Sequence, residues 1–582
     1  MTNTSAFLPT HIVEVTRACS AANYRRAADS RPLSAPSSLG RGRTFDIARP
    51  QGLFRVRLIS DRFLSSVWHN RAGPGRPGVE ASAMSLSTTD VLVEIPQGRL
   101  RGALTDGVAS FKGIPYAAAP FGANRFKAPQ PATAWQGIRN ALAFGPTVPK
   151  PPYFPPFDAI LPEPVIEGEE CLNLNIWTPD PAAKGLPVMV WIHGGAFANG
   201  TGAAPNYDGH RFARDGVVLV TINYRLGVDG FLFLGDGVSN LGLLDQIAAL
   251  VWVRDNIGAF GGDKNNVTIF GESAGGMSVG SLLSMPRAKG LFKRAIAQSG
   301  AGHHAISAAT ASKVGGYLAE TLGVPADRAA IAEVPIAKVY EAQVALSAEA
   351  FMVPDPVKWG EVAANLMPFE PVIDGDLLPA MPIVRIAAGA SAGVDLMLGT
   401  NREEQRLFMV PSGAIDHIDE NVLGMAAVGY RLPADAIKVY SAARPGATPG
   451  ELLAAISTDW FFRIPAVRLA EGHSGNGGST HVYEMAWRSP LFGGRLGACH
   501  ALEIGFVFDT LDADWTDRLA GSNPPQSIAN EMHRAWVAFA RTGDPGWKTY
   551  NADRRNVMRF DTTSGVVDDP DGEERRLWEG IR

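Results

Sequence analysis

The sequence predicts an α/β protein with a large, mostly parallel central sheet, helices on both faces and a small N-terminal β-hairpin. Three observations carry this. Short unbroken apolar runs, such as Leu186–Ile192 and Gly216–Ile222, read as strands buried on both faces. Helical periodicity separates them, and strands alternating with helices build parallel sheets. The chain has 582 residues, 46% of them apolar, which is enough for one large core.

Taken in order, Val91–Ile95 and Gly98–Gly102 alternate with period two and form the hairpin. Leu186–Ile192 is the first buried strand and ends in His193-Gly194-Gly195; Gly216–Ile222 is the second. Leu243, Ile247, Leu250, Val251 and Ile257 fall near i, i+4 spacing and mark a helix. Asn266–Phe270 is a strand that runs into Gly271-Glu272-Ser273-Ala274-Gly275, and a helical stretch from Ala274 to Leu283 follows. Ala295–Gln298, Asp395–Gly399 and His481–Met485 complete the strands, and Ile528–Arg541 is an amphipathic helix.

The first 83 residues differ from the rest. They hold twelve Arg, no Lys and five acids, a net charge of +7 that leaves −12 for the remainder of a chain whose total is −5. Arg31–Ser38 and Ala72–Gly78 are linker-like. No charged n-region leads into an apolar h-region, so a secretory signal is not expected here. Residues 1–83 are expected to be a disordered extension, or residues upstream of a start at Met84, with 84–582 forming the α/β domain.

The overall charge offers no field for nucleic acid. No apolar run reaches the roughly 18 residues of a membrane span. Three cysteines, Cys19, Cys171 and Cys499, are too few and too scattered for a disulfide framework or a zinc site, which points to a reducing compartment, the cytoplasm.

Gly-x-Ser-x-Gly between a strand and a helix makes a tight turn that lifts its serine above the sheet edge. Ser273 is therefore the candidate nucleophile, with the helix N-terminus behind it favouring developing negative charge. Stabilising an oxyanion needs N–H donors from two places. Ala274 supplies one, and Gly194 and Gly195, at the end of a buried strand, supply the others.

A serine hydroxyl needs a base. On a sheet of this kind the chain order is Ser, acid, His. Position excludes His11, His69, His193 and His210, and His303, His304, His417, His473 and His481 also fall outside the slot. His533 sits in the amphipathic helix and reads as a surface or packing residue. His500, in the loop after the last strand, is the candidate base. The acid belongs just beyond a strand between the two. Gly399–Glu404 fits, although spacing does not choose between Glu403 and Glu404, and Asp374 is a weaker rival in a turn.

Many ordered motifs together resemble the type-B carboxylesterase family of bacterial para-nitrobenzyl esterases and animal cholinesterases. They are Phe111–Tyr116, Arg125-Phe126, Glu169–Asn175, Asn223–Gly227, Leu243–Gln246, Phe260–Asp263, Gly271–Gly276, Gln298–Gly300, Gly399–Glu404 and His500–Glu503. The resemblance spans nearly all of 84–582 and implies the α/β-hydrolase fold and a serine carboxylesterase acting through an acyl-enzyme on Ser273. It places the acid on Glu404, implies structural ion pairs Arg125–Glu169 and Arg225–Asp245, and gives Glu503 a supporting role beside the histidine loop. In secreted relatives Cys171 pairs with an upstream cysteine to close a loop. The matching neighbourhood here, Gly145–Pro149, has none, so that loop is expected to be unclamped. Cys499 reads as a buried free thiol.

The expected substrate is a small-molecule ester, with no metal or cofactor. The same machinery acting on carbamates, amides or lactones is the nearest alternative. Non-catalytic binding relatives lose the serine or the histidine, and this chain keeps both. The stretches Phe351–Trp359 and Phe408–Val410 are candidates for pocket lining or for lid packing.

Overall fold

The computed structural model describes residues 45–47, 54–56, 89–513 and 515–582. In the Arg-rich segment, strands β1 (Phe45–Ile47) and β2 (Phe54–Val56) pair antiparallel with each other. The rest of that segment, and with it the expected boundary at Met84, lies outside the described residues.

The N-terminal hairpin forms as β3 (Thr89–Ile95) and β4 (Gly98–Thr105), with Val91 opposite Gly102. It is not a separate element. β5 (Val108–Pro115) continues it, and β6 (Ile138–Asn140) pairs along β4. Next come β7 (Asn173–Thr178), β8 (Leu186–Ile192), β9 (Val218–Ile222), β10 (Gly262–Glu272) and β11 (Arg294–Gln298). β12 (Ile306–Ser307) and β13 (Val372–Ile373) make a small parallel pair of their own. β14 (Asp395–Asn401), β15 (Thr480–Met485), β16 (Asn556–Phe560) and β17 (Gly565–Asp568) complete the set.

Thirteen strands join in one sheet, whose body β9-β8-β10-β11-β14-β15-β16 is parallel throughout. The antiparallel strands lie at its two edges. Along β8, Val188, Val190 and Ile192 enter one apolar cluster while Met189 and Trp191 enter the cluster on the opposite face. This two-sided burial is why the strand sequences show no polar alternation. The helices Leu241–Asn256, Ala274–Ser284 and Gln526–Thr542 lie where periodicity puts them, to within a few residues.

β7 escapes a reading by hydropathy because Asn173, Asn175 and Thr178 interrupt it. All three are buried and satisfied. Asn175 Nδ2 donates to Thr221 Oγ1 at 2.9 Å, Asn173 Nδ2 to the Pro146 and Glu170 carbonyls, and Thr178 Oγ1 to the Phe260 carbonyl.

Of the two ion pairs implied by resemblance, Arg225–Asp245 is present and bidentate, with both N–O distances 2.7 Å and both side chains buried. The other is different. Arg125 pairs with Asp229 at 3.2 Å and donates to the carbonyls of Ala332 and Val334, while Glu169 is exposed. Asp229 is fixed on the short helix Gly227–Phe231, so the guanidinium finds a stationary carboxylate and two free carbonyls there.

Candidate active site

β10 ends at Glu272, and the chain turns at Ser273 with φ 57° and ψ −123°, a left-handed conformation that is rare for a residue with a side chain. The helix Ala274–Ser284 begins at the next residue. Gly275 faces the Ile192 carbonyl so closely that a Cβ would overlap it, and a Cβ on Gly271 would sit 2.5 Å from the same oxygen. The two glycines thus let the turn lie flat against the end of β8.

The loop after β8 meets this turn. A Cβ on Gly194 would lie 2.9 Å from the Glu272 carboxylate and 3.0 Å from Ser273 Cβ, so the backbone passes directly beside the serine. Gly195 has φ 112°, and Ala196 and Phe197 also have positive φ. His193 is buried below the loop, stacked on Tyr224 at 4.5 Å, with Nδ1 2.8 Å from the Gly194 carbonyl. Burial lowers its pKa to about 3, so the ring is neutral and supports the loop.

His500 Nδ1 lies 2.7 Å from Glu404 Oε2, and both side chains are buried. Glu404 Oε1 accepts from Ser299 Oγ at 2.6 Å and from the Asn401 N–H at 2.7 Å, so three donors or donor-capable groups converge on one carboxylate. Glu403 points elsewhere: it pairs with Arg406 and Arg488 and accepts from the Ala498 N–H. Asp374 accepts from Asn240 and from the N–H groups of Asp376 and Leu378, as a turn residue does. His533 is a packing residue, with Nδ1 2.8 Å from the Val507 carbonyl and its ring against Phe212.

Among the described residues, no hydrogen bond joins Ser273 Oγ to His500. The other ring nitrogen, Nε2, instead lies 3.1 Å from Glu272 Oε1, an oxygen that makes no hydrogen bond of its own. Burial raises Glu272 to about 8. Burial opposes the charged form of His500, yet Glu272 first and Glu404 next outweigh it and raise the ring. Each group acts on the other: the Glu272 charge favours the protonated ring, and the ring's charge pulls the Glu272 carboxyl back down. Glu503 accepts from Asn401 Nδ2 at 2.6 Å and from Gln298, and the same Asn401 amide donates to the Cys499 carbonyl beside His500.

Sequence reasoning assigned no role to Glu272, Ser299 or Asn401, although each lies inside a quoted motif. Nor did it name Phe462, whose ring lies 4.8 Å from His500; Phe408, from a stretch read as pocket lining or lid packing, lies on the same ring at 5.4 Å. In Phe351–Trp359, Trp359 is buried against Tyr317 while Phe351 is exposed. Cys171 and Cys499 are buried free thiols. Among the described residues no group of His, Cys, Asp and Glu is arranged to hold a metal ion, and no helix is long and apolar enough to cross a membrane.

A model of the carboxylesterase family matches residues 89–578. The chain is 38% identical to the para-nitrobenzyl esterase of Bacillus subtilis (strain 168), covering 84% of this chain and 98% of that protein. It is 36% identical to the phenmedipham hydrolase of Pseudarthrobacter oxydans, covering 79% and 93%. Among solved structures, a carboxylesterase from Geobacillus stearothermophilus matches with a TM-score of 0.73 at 38% identity, covering 84% of this chain and 99% of that one. Sequence and architecture agree over almost everything after Thr89, and the chain belongs to the carboxylesterase family, sharing its α/β-hydrolase fold and its serine ester hydrolysis.

Proposed function

We propose that ester hydrolysis proceeds through an acyl-enzyme on Ser273, with His500 as base and Glu404 as the acid that orients it. The observation that carries this reading is the buried 2.7 Å contact between His500 Nδ1 and Glu404, with Nε2 lying beside Glu272, the residue before a serine held at a strained turn. Ser273 Oγ swings toward Nε2 and gives up its proton there as it attacks the ester carbonyl carbon. The oxyanion accepts from the N–H groups of Gly194, Gly195 and Ala274; Ala274 opens its helix, where N–H groups lack intrahelical partners. Collapse of the intermediate breaks the C–O bond, and the alcohol leaves with the proton held by His500. Water then gives a proton to His500, attacks the acyl carbon, and releases the acid and the serine hydroxyl.

Ser273→Ala is expected to abolish ester turnover with the melting temperature unchanged; retained turnover overturns the scheme. Parent enzyme mixed with a slowly deacylating ester is expected to gain the acyl mass on the peptide containing Ser273.

We also read the compartment as cytoplasmic, supported by the two buried free thiols, and residues 1–83 as an extension to the catalytic domain. An intact mass of the native protein tests the latter.

A further inference from the structure

The segment before Cys171 has no disulfide to close it, yet it is tied shut. The Thr147 N–H donates to the Ile166 carbonyl at 2.9 Å, and the Ile166 N–H returns to Thr147 Oγ1 at 3.1 Å. Just above this neck, Lys150 Nζ lies 3.6 Å from Glu163 Oε2. The Lys150 side chain is only 3% exposed, and its ammonium makes no hydrogen bond. The Gly200 N–H and the Asn199 side chain face the Glu163 carboxylate, and Asn199 Nδ2 also donates to the Pro151 carbonyl at 2.8 Å. Both feet of the segment 151–162 therefore stand on the loop that follows Gly194 and Gly195. A buried ion pair of this kind resists opening, because either charge left alone in the interior is strongly unfavourable.

The strap between these feet is aromatic. Phe154, at its tip, is 68% exposed. Its ring lies 5.9 Å from Phe157, which lies 6.3 Å from Phe408, which in turn lies 5.4 Å from His500. Phe408 is 40% exposed, whereas Glu272, Glu404 and Phe462, which also lie against His500, are buried. The strap thus lays Phe157 against Phe408, the partly exposed ring that packs on His500.

We propose that Lys150 and Glu163 are positioning residues for substrate selection: they hold the strap with Phe157 against Phe408, narrow the approach to His500, and so favour esters with small groups on that side. The inference rests on His500 serving the ester reaction.

The test compares kcat/KM over two series, p-nitrophenyl esters from acetate to octanoate and acetates of alcohols of increasing size. In Lys150→Met and Glu163→Gln the ratio of long to short substrates is expected to rise by about five-fold or more in one series, through KM rather than kcat. Phe157→Ala should reproduce the rise with the ion pair intact, and Lys150→Arg should keep the parent ratio. A ratio that is unchanged or lower in Phe157→Ala overturns the proposal, whether or not the ion-pair variants fold. A uniform loss across all ester sizes in the ion-pair variants overturns the positioning role. Ser273→Ala is run alongside: turnover retained there refutes the catalytic reading itself, independently of the ratios.

Discussion

Glu272 Oε1 lies 3.1 Å from Nε2 of His500, the ring nitrogen opposite the one that Glu404 holds. As the proposed base, His500 must be neutral to accept a proton, and the Glu272 charge works against that by raising the ring. Glu272→Gln removes the charge, so His500 loses its proton at lower pH. The acid limb of the kcat/KM profile is then expected to move to lower pH by about one unit or more. A limb that stays in place would show that the Glu272 charge does not govern His500.

The Glu404 carboxylate separates two contributions that activity assays can distinguish. Glu404→Gln removes the charge that stabilises the imidazolium and is expected to lower kcat by about 10³–10⁴-fold. Ser299→Ala removes one donor to Oε1, while the Asn401 N–H still holds the same oxygen at 2.7 Å. A fall of only about ten-fold is expected. Steady-state kinetics of the two variants side by side checks the ranking.

Arg225 and Asp245 test stability rather than chemistry. Asp245→Ala leaves a buried guanidinium without its carboxylate and is expected to destabilise the fold by about 3–5 kcal/mol, read as a lowered melting temperature. A melting temperature equal to that of the parent would mean that the pair adds nothing to the fold.

The turn at Ser273 has a backbone test. A Cβ at Gly275 would overlap the Ile192 carbonyl, so Gly275→Ala must displace the serine. A loss of about 10²-fold or more in kcat is expected. Gly258→Ala, where a Cβ would meet nothing within 4 Å, is the matched control and should behave as the parent.

Much of this architecture was legible in the residues, for reasons that are physical. Leu186–Ile192 and Val218–Ile222 are buried on both faces, so their hydropathy alone marks them. Asn173–Thr178 is equally buried, but its polar side chains are satisfied by partners far away in sequence, which no local pattern reveals. Glu403 and Glu404 share one turn after β14, and only the three-dimensional path of the chain sends one to Arg406 and the other to His500. Arg125 shows the same limit, since its partner Asp229 lies 104 residues on. Hydropathy marks Phe408–Val410 for pocket lining or lid packing without choosing between them; the place of Phe408 on the His500 ring depends on how the loops fold over the sheet.

The parallel body of the sheet brings one end of β8, β10, β14 and β15 to the same edge, and the site takes one contribution from the chain after each. Those contributions span Gly194 to His500, about three hundred residues. During synthesis the loop after β8 and the Ser273 turn emerge long before His500, the proposed proton acceptor. Ester turnover is therefore a late signal of folding: a chain that has formed the first half of its sheet can look well structured to circular dichroism and still be silent toward substrate.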